Sequence, residues 1–218
     1  MPLTLYYAPG ACSFVPHAAL ELAGADFEPA LVKLHKGEQQ TPEFRALNPR
    51  GQVPVLVDDG AAITQIVAIC LHLDARFPQA RLLPAAGLAR TRALELLVWM
   101  NNTVHPTFTH VFMPQKFTDD AAAQAAIKTH ALGQYRALLA ELETAVAARA
   151  GAWLGGEAPG VLDAYALTLL RWGGFASIDP TTLPQTWALA QAFAALPAVA
   201  RVIERERLKL NVYTPVGA

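Results

Sequence analysis

The sequence predicts a small α/β domain followed by an all-helical domain. Strand and helix signals alternate through the first third of the chain, whereas no strand signal of comparable quality occurs beyond residue 90. Between the two regions, Phe77 to Gly87 contains two prolines and no hydrophobic period, which is typical of a linker. We therefore expect domains at residues 1–77 and 88–218, joined by residues 78–87.

The first three predicted elements form a strand–helix–strand unit. Apolar and polar side chains alternate over residues 3–7, as in a strand with one buried face, and the turn Pro9-Gly10 ends it. Apolar residues at helical spacing then predict a helix that begins near Cys12 and stops at Gly24. Residues 27–32 predict a second strand, which is expected to pair with the first in parallel through a right-handed crossover.

A hairpin and a helix complete the predicted α/β domain. Residues 53–57 form a short apolar strand, Asp59-Gly60 is a two-residue hairpin signal, and residues 61–64 supply the partner strand. Residues 65–76 have apolar side chains on one helical face, which predicts a helix.

Three apolar stripes with helical period follow the linker, within residues 94–112, 132–146 and 162–170. They predict long helices that pack around a common core. Where such a domain meets the α/β domain we expect a cleft, which is a common place for a ligand site.

Composition and charge exclude several classes of protein. Among 218 residues, 17 Lys and Arg face 18 Asp and Glu without a basic run, which disfavours electrostatic binding of nucleic acid. Hydrophobic residues make up 53% and charged residues 16%, a balance that disfavours disorder and predicts self-association. Cys12 and Cys70 are too few for a disulfide scaffold and belong to no cluster with metal-ligand spacing. No pattern of a secretory leader or membrane span is present, so we expect a cytoplasmic protein.

Residues 48–54, Asn-Pro-Arg-Gly-Gln-Val-Pro, form the most informative loop. A proline at the start of a strand fits an edge or a bend, because it lacks the N–H that a sheet requires. A cis Val53–Pro54 bond is expected to turn the Val53 backbone outward, where its N–H and C=O can pair with an extended peptide. The alternative is a tight turn before an edge strand.

Two motifs in this order resemble those of a known family. Residues 7–13, Tyr-Ala-Pro-Gly-Ala-Cys-Ser, followed by residues 48–54, make the chain similar to bacterial cytosolic glutathione S-transferases, closest to the beta class. Asp163 and residues 196–199 extend the likeness through the helical half. The resemblance implies a thioredoxin-like first domain (βαβ-ββα) with a cis proline at Pro54, an all-α second domain and a homodimer. It also implies glutathione as co-substrate and a small hydrophobic electrophile as second substrate, while charge, cysteine spacing and hydropathy predict no metal, nucleic-acid or membrane partner.

The resemblance also implies catalytic roles for Cys12, Ser13 and Tyr7. The matching beta-class cysteine lies against the glutathione sulfur and can form a mixed disulfide with it. We expect the helix that begins here to lower the pKa of the Cys12 thiol, the alternative being a small buried apolar residue. Ser13 either hydrogen-bonds the sulfur or, as we favour, caps the helix. Tyr7 either matches the family's N-terminal tyrosine or is the inward residue of the first strand.

His105 matches the beta-class histidine that reaches across the cleft toward the thiol. A single histidine on an apolar stripe is also compatible with a core residue whose hydrogen bonds are satisfied. Pro106 favours a functional role, because a proline inside a helix removes the hydrogen bond to the Asn102 carbonyl and kinks the axis. The lysine that usually follows this histidine in the beta class is missing here.

The resemblance places glutathione against Gln52, Val53 and Pro54, with its γ-glutamyl end at Gln65 and Ile66. Many family members have a serine where this chain has Ile66, so one hydroxyl is lost. A hydrogen bond to a charged group contributes about 1.5–3 kcal/mol. Backbone N–H groups at a helix N-terminus still attract an anion without that hydroxyl.

The sequence thus predicts an enzyme that stabilises a glutathione thiolate for attack on an electrophile. One alternative is glutathione-dependent thiol–disulfide exchange through Cys12. Another is a non-catalytic binding or regulatory protein on the same scaffold, since a fold alone does not guarantee a function. Trp99, Phe112 and Trp172 either line the electrophile pocket or pack the core.

Overall fold

The first domain contains a four-stranded mixed sheet. The computed structural model describes residues 3–215, so residues 1–2 and 216–218, at the ends of the two expected domains, lie outside it. The strands are β1 (Leu3–Tyr7), β2 (Phe27–Leu31), β3 (Val55–Asp58) and β4 (Ala61–Thr64), in the order β2-β1-β3-β4. β1 pairs in parallel with β2 and antiparallel with β3, which in turn pairs antiparallel with β4. The predicted thioredoxin-like fold is therefore confirmed.

Three helices connect and flank these strands. α1 (Phe14–Leu22) crosses from β1 to β2, α2 (Pro42–Leu47) precedes β3, and α3 (Ile66–Arg76) follows β4. Sequence analysis missed α2, which is only six residues long. A threonine followed by a proline at residues 41–42 is a sequence signal for a helix start. In the structure Thr41 accepts a hydrogen bond from the Phe44 N–H at 3.3 Å.

The second domain is all-helical over the described part of the chain. Its helices are α4 (Gly87–Trp99), α5 (His105–Phe112), α6 (Ala121–Ala147), α7 (Val161–Phe175), α8 (Pro184–Ala194) and α9 (Pro197–Glu206). The stripe at residues 94–112 is divided between α4 and α5 by a π-helical turn at Met100–Val104. The turn ends where Pro106, which has no backbone N–H to donate, enters α5.

The two domains share one core around α1. This helix is buried from Phe14 to Leu20, with β1 and α3 on the side of the first domain and α7 and α9 on the side of the second. The second domain therefore reaches the loop that leads from β1 into α1. Within residues 3–215 no single helix has the length and apolarity of a membrane span, although α8 and α9, bent by 91° at their break, meet those criteria as a pair.

Candidate active site

The loop before β3 is fixed by a buried asparagine. Asn48 is 2% exposed; its Nδ2 donates to the Gln52 carbonyl at 2.7 Å, and its Oδ1 accepts from the Arg50 N–H at 3.2 Å. The Val53–Pro54 peptide bond that follows is cis. The N–H of Val53 has no hydrogen-bond partner within residues 3–215. The loop thus holds a main-chain donor ready for a ligand.

The N-terminus of α3 lies beside this donor. The antiparallel register pairs Val55 with Thr64, so Pro54 and Gln65 face each other at the same end of β3 and β4. Gln65 has φ +73° and ψ 124°, a sparsely populated conformation, and it makes no side-chain cap for α3. Such strain costs about 1–3 kcal/mol and is characteristic of functional sites. The first N–H groups of an uncapped helix are available to an anion.

Ile66 does not fill the space at this helix start. Its side chain is 4% exposed and belongs to the hydrophobic core that contains Ile69 and Leu73. The isoleucine therefore lacks the hydroxyl of a serine, and its side chain packs into the core.

Cys12 approaches the same edge of the sheet. Its Sγ donates to the Val53 carbonyl at 3.6 Å, so the expected outward-facing carbonyl is already occupied by the thiol. Burial raises the pKa of Cys12 to about 12, an effect that outweighs the backbone N–H groups of residues 12 and 13. The expectation of a lowered pKa was wrong, because α1 begins only at Phe14 and desolvation dominates. The thiol is protonated at neutral pH.

Ser13 supports the loop rather than the helix. It is fully buried, its Oγ accepts from the Ala8 N–H at 3.1 Å, and the same hydroxyl donates to the Ala8 carbonyl at 3.2 Å. The preferred interpretation of a side-chain helix cap was wrong, since no such hydrogen bond forms. Both hydrogen-bonding functions of the hydroxyl are used within the turn that precedes Cys12.

Tyr7 is the inward residue of β1. It is 6% exposed, and its ring lies 4.7 Å from the His17 ring, centroid to centroid. Burial raises the pKa of the Tyr7 hydroxyl, and the negative charge of Glu206 raises it further. Of the two interpretations drawn from the sequence, the structure favours the packed strand residue.

The turn at Gly10 is clamped from the helical domain. Glu206 Oε2 accepts from the Gly10 N–H at 2.9 Å, and the indole Nε1 of Trp172 donates to the Gly10 carbonyl at 2.9 Å. Glu206 Oε1 lies 2.7 Å from Nδ1 of the fully buried His17, and Arg205 donates to His17 Nε2 at 2.9 Å. These contacts attach the loop that carries Cys12 to α7 and α9.

His105 lies next to this clamp. Its ring packs edge-on against Trp172 at 4.8 Å between centroids, and its Nδ1 lies 2.8 Å from the Tyr165 hydroxyl. Burial lowers the pKa of His105 to about 4, with a smaller contribution from the positive charge of Lys116. His105 is therefore a neutral hydrogen-bonding group at pH 7.

An aromatic strip runs from His105 to the surface. Ring centroids of Phe108 lie 4.7 Å from Trp172 and 5.5 Å from Phe112, and Phe112 lies 5.8 Å from Phe175. Trp172 is 5% exposed, whereas Phe112 and Phe175 are 53% and 47% exposed. Trp172 thus packs the core, while the outer two rings offer apolar surface to a ligand.

Sequence analysis missed His17, Glu206 and Tyr165. His17 and its partner Glu206 are 189 residues apart in the sequence, and Tyr165 and its partner His105 are 60 residues apart. The only local signal was a polar residue in an otherwise apolar helical run, as for His17 in α1. Such a residue is buried only with a hydrogen-bond partner, but the sequence does not say which one.

One cavity lies apart from this site. A cavity of about 360 Å³ lies beside Tyr6, Leu31 and Phe44, on the face of β1 opposite Tyr7.

Across residues 3–215, His, Cys, Asp and Glu form no group of three or more that could hold a metal ion.

Comparisons with known proteins identify the family. Residues 1–75 match the family model "Glutathione S-transferase, N-terminal domain". Glutathione S-transferase GstA of Escherichia coli O157:H7 is 30% identical over 95% of this chain and 100% of its own. A sphingomonad glutathione S-transferase solved with glutathione is 33% identical, with a TM-score of 0.81 over 94% of this chain and 100% of its own. A beta-class glutathione S-transferase of Sphingomonas chungbukensis is 29% identical, with a TM-score of 0.80 over 94% of this chain and 100% of its own. The resemblance stated from the sequence is confirmed: the chain belongs to the glutathione S-transferase family.

Proposed function

We propose that this protein is a glutathione transferase that binds glutathione along the edge of the sheet and presents its sulfur beside Cys12. One observation carries the proposal: Cys12 lies within 3.6 Å of the Val53 carbonyl, at the edge where Pro54 faces Gln65 and the N-terminus of α3. The site therefore joins a main-chain donor, an anion-binding helix end and a thiol. A relative of 33% identity that was solved with glutathione supports the same ligand here.

The γ-glutamyl and cysteinyl parts of glutathione have counterparts in this site. The γ-glutamyl carboxylate binds the free N–H groups at the start of α3 beside Gln65 and Ile66. The cysteinyl main chain accepts from the Val53 N–H, next to Pro54 and the exposed Gln52. The thiol then lies near Cys12, which stays protonated and keeps its hydrogen bond to the Val53 carbonyl rather than attacking.

The proposed chemistry is nucleophilic substitution by the glutathione sulfur. With a chloroarene as electrophile, a C–S bond forms, the C–Cl bond breaks and chloride leaves. His105 accepts the thiol proton and passes it to solvent. Its pKa of about 4 applies to the unliganded site, and a thiolate beside the ring raises that pKa, because an opposite charge favours the imidazolium.

The second substrate is proposed to be a hydrophobic, planar electrophile. Phe112 and Phe175 present half-exposed ring faces at the end of the strip that begins at His105. Aromatic ligands gain about 0.5–1.5 kcal/mol from ring contacts beyond the burial of apolar area.

A conjugation assay tests the function. We expect the purified protein to conjugate glutathione with 1-chloro-2,4-dinitrobenzene, and His105→Gln to lower kcat by about a hundredfold, the lower end of what a general base contributes. His130→Gln, an exposed histidine on α6, is the matched control and retains activity. Absence of heat on titration with millimolar glutathione would contradict the proposal and make the non-catalytic binding protein the leading alternative.

Cys12→Ala separates conjugation from thiol–disulfide exchange. Because the Cys12 thiol is protonated and hydrogen-bonded to Val53, we expect this variant to keep conjugation within about fivefold of wild type, the loss of a neutral hydrogen bond of about 1 kcal/mol. The transferase proposal expects disulfide reduction to be no more affected than conjugation; conjugation that survives while disulfide reduction disappears would favour the exchange enzyme. Cys70→Ala, at a buried core position, is the control.

We also propose a cytoplasmic homodimer with its domains divided at residues 78–87. Family membership and the exposed apolar Leu88 and Val98 on α4, 70% and 41% exposed, support self-association. The gap between α3 and α4 supports the division. Light scattering measures the oligomeric state, limited proteolysis tests the linker, and cell fractionation tests the location.

A further inference from the structure

A chain of hydrogen bonds determines which nitrogen of His105 carries its proton. His105 Nδ1 lies 2.8 Å from the Tyr165 hydroxyl, and that hydroxyl lies 3.2 Å from Asn101 Oδ1. The Nδ2 group of Asn101 donates to Asn102 Oδ1 at 2.7 Å, which orients the amide so that its oxygen faces Tyr165. An amide oxygen only accepts hydrogen bonds. Tyr165 must therefore give its hydrogen to Asn101.

The tyrosine hydroxyl then has only lone pairs left for His105. Nδ1 of His105 is consequently the donor in the bond to Tyr165. The opposite assignment would leave two oxygens, of Tyr165 and Asn101, 3.2 Å apart with no hydrogen between them. The Tyr165 ring is fully buried in α7, and Trp172 packs against the His105 ring, so neither partner is free to turn away.

The second nitrogen of His105 is thereby left as an acceptor. A neutral imidazole carries one N–H, so a proton on Nδ1 leaves the lone pair on Nε2. Within residues 3–215 Nε2 has no hydrogen-bond partner, and it is not among the side-chain atoms that are buried without one. It therefore opens onto accessible space rather than into the core.

We propose that Tyr165 and Asn101 are positioning residues that hold His105 in the Nδ1–H tautomer, so that Nε2 takes the proton of the glutathione thiol. The assignment of that thiol as the proton donor rests on the proposed function. A catalytic base whose second nitrogen is oriented by a third group is a recurring arrangement, and the wrong tautomer abolishes its use as a base. Asn101 and His105 are four residues apart on one helical face, which allows both side chains to reach the same hydroxyl.

The direct test reads the tautomer without substrate. Protein labelled with ¹⁵N-histidine is studied by NMR at neutral pH, and the His105 signals are those that vanish in His105→Gln. We expect the wild type to show hydrogen on Nδ1 and none on Nε2, and Tyr165→Phe to lose this preference. Hydrogen on Nε2 in the wild type, or an unchanged tautomer in Tyr165→Phe, overturns the proposal whether or not the protein conjugates glutathione.

Asn101 provides a matched pair of variants. Asn101→Leu removes the acceptor, which frees Tyr165 to donate to Nδ1, and is expected to move the His105 hydrogen to Nε2. Asn101→Asp keeps an acceptor and is expected to retain the hydrogen on Nδ1. If both variants give the same tautomer, Asn101 does not set it and the chain of bonds is refuted.

Tyr135→Phe controls for the general loss of a buried hydroxyl. Tyr135 is also fully buried, and its hydroxyl donates to the Leu169 carbonyl at 2.7 Å rather than to His105. It is expected to leave the His105 tautomer as in the wild type. A shift as large as that of Tyr165→Phe would mean that helix packing, and not the hydrogen bond, controls the ring.

Kinetics provide the second readout. We expect Tyr165→Phe to lower kcat by about tenfold while KM for glutathione changes by less than about twofold, because part of the general-base contribution is lost and the binding edge is untouched. In the His105→Gln background, Tyr165→Phe is expected to have no further effect. An additional loss in that double variant would show that Tyr165 acts independently of His105.

Discussion

Replacing Glu206 with alanine is expected to destabilise the protein and to loosen the loop that carries Cys12. Glu206 is 3% exposed, and its two oxygens accept from Gly10 at 2.9 Å and from His17 at 2.7 Å. Alanine leaves the buried His17 donor and the part-buried Gly10 N–H without a partner. Each unsatisfied buried donor costs about 1–3 kcal/mol, and the loss of one member of a buried pair costs about 3–5 kcal/mol. We therefore expect the free energy of unfolding to fall by about 3–5 kcal/mol.

Denaturant unfolding at fixed protein concentration measures this loss. The midpoint is expected to fall while the slope m stays constant, because the surface exposed on unfolding does not change. Glu206→Gln keeps one acceptor and is expected to lose about half as much, which preserves the test if the alanine variant does not fold. Glu95→Ala, which removes an exposed pair with Arg92, is the control and should leave the midpoint unchanged. A Glu206→Ala midpoint equal to that of the control would refute the clamp at Gly10.

Three further predictions concern backbone strain and titration. Gly10→Ala should destabilise the protein by about 1–2 kcal/mol, because its φ of +70° lies in the left-handed region. The new Cβ would lie 2.9 Å from the end of the flexible Arg171 side chain, which can move, so Gly24→Ala (φ +61°) should lower the melting temperature by a similar amount; an unchanged melting temperature in either variant would contradict this. Lys116→Met should raise the pKa of His105 above its value of about 4, since a positive charge is removed, and an NMR pH titration that shows a fall would contradict the assigned cause. Burial raises the pKa of Asp163 from 3.8 to about 6, so between these pH values the folded state binds more protons than the unfolded state and the free energy of unfolding falls as pH rises. Asp163→Asn should lack this pH dependence in denaturant unfolding, and the same pH dependence in both proteins would exclude Asp163 as its source.

Much of the first domain followed from local patterns. The alternation at residues 3–7 and the hairpin signal Asp59-Gly60 predicted β1, β3 and β4 to within about two residues, because side chains alternate across a strand and glycine permits the turn. The short α2 was missed because one and a half turns carry too little hydrophobic period to detect.

The candidate site was predicted only in part. Cys12, Val53 and Gln65 do come together, which the order of the motifs indicated. The shift of the Cys12 pKa was predicted in the wrong direction, since the position of a helix start is visible in a sequence whereas the desolvation of a side chain is not. Ser13 was misinterpreted for the same reason, because its partner Ala8 is chosen by the geometry of the turn.

By itself the sequence determined the order of elements, the fold class and the motifs that mark the family, because hydrophobic period and turn chemistry act over a few residues. Only the tertiary structure decided which groups are buried and which are partnered across the chain. Glu206 with His17, and Tyr165 with His105, meet through packing of distant helices. Those contacts depend on how α7 and α9 pack around α1, and no local pattern encodes that placement.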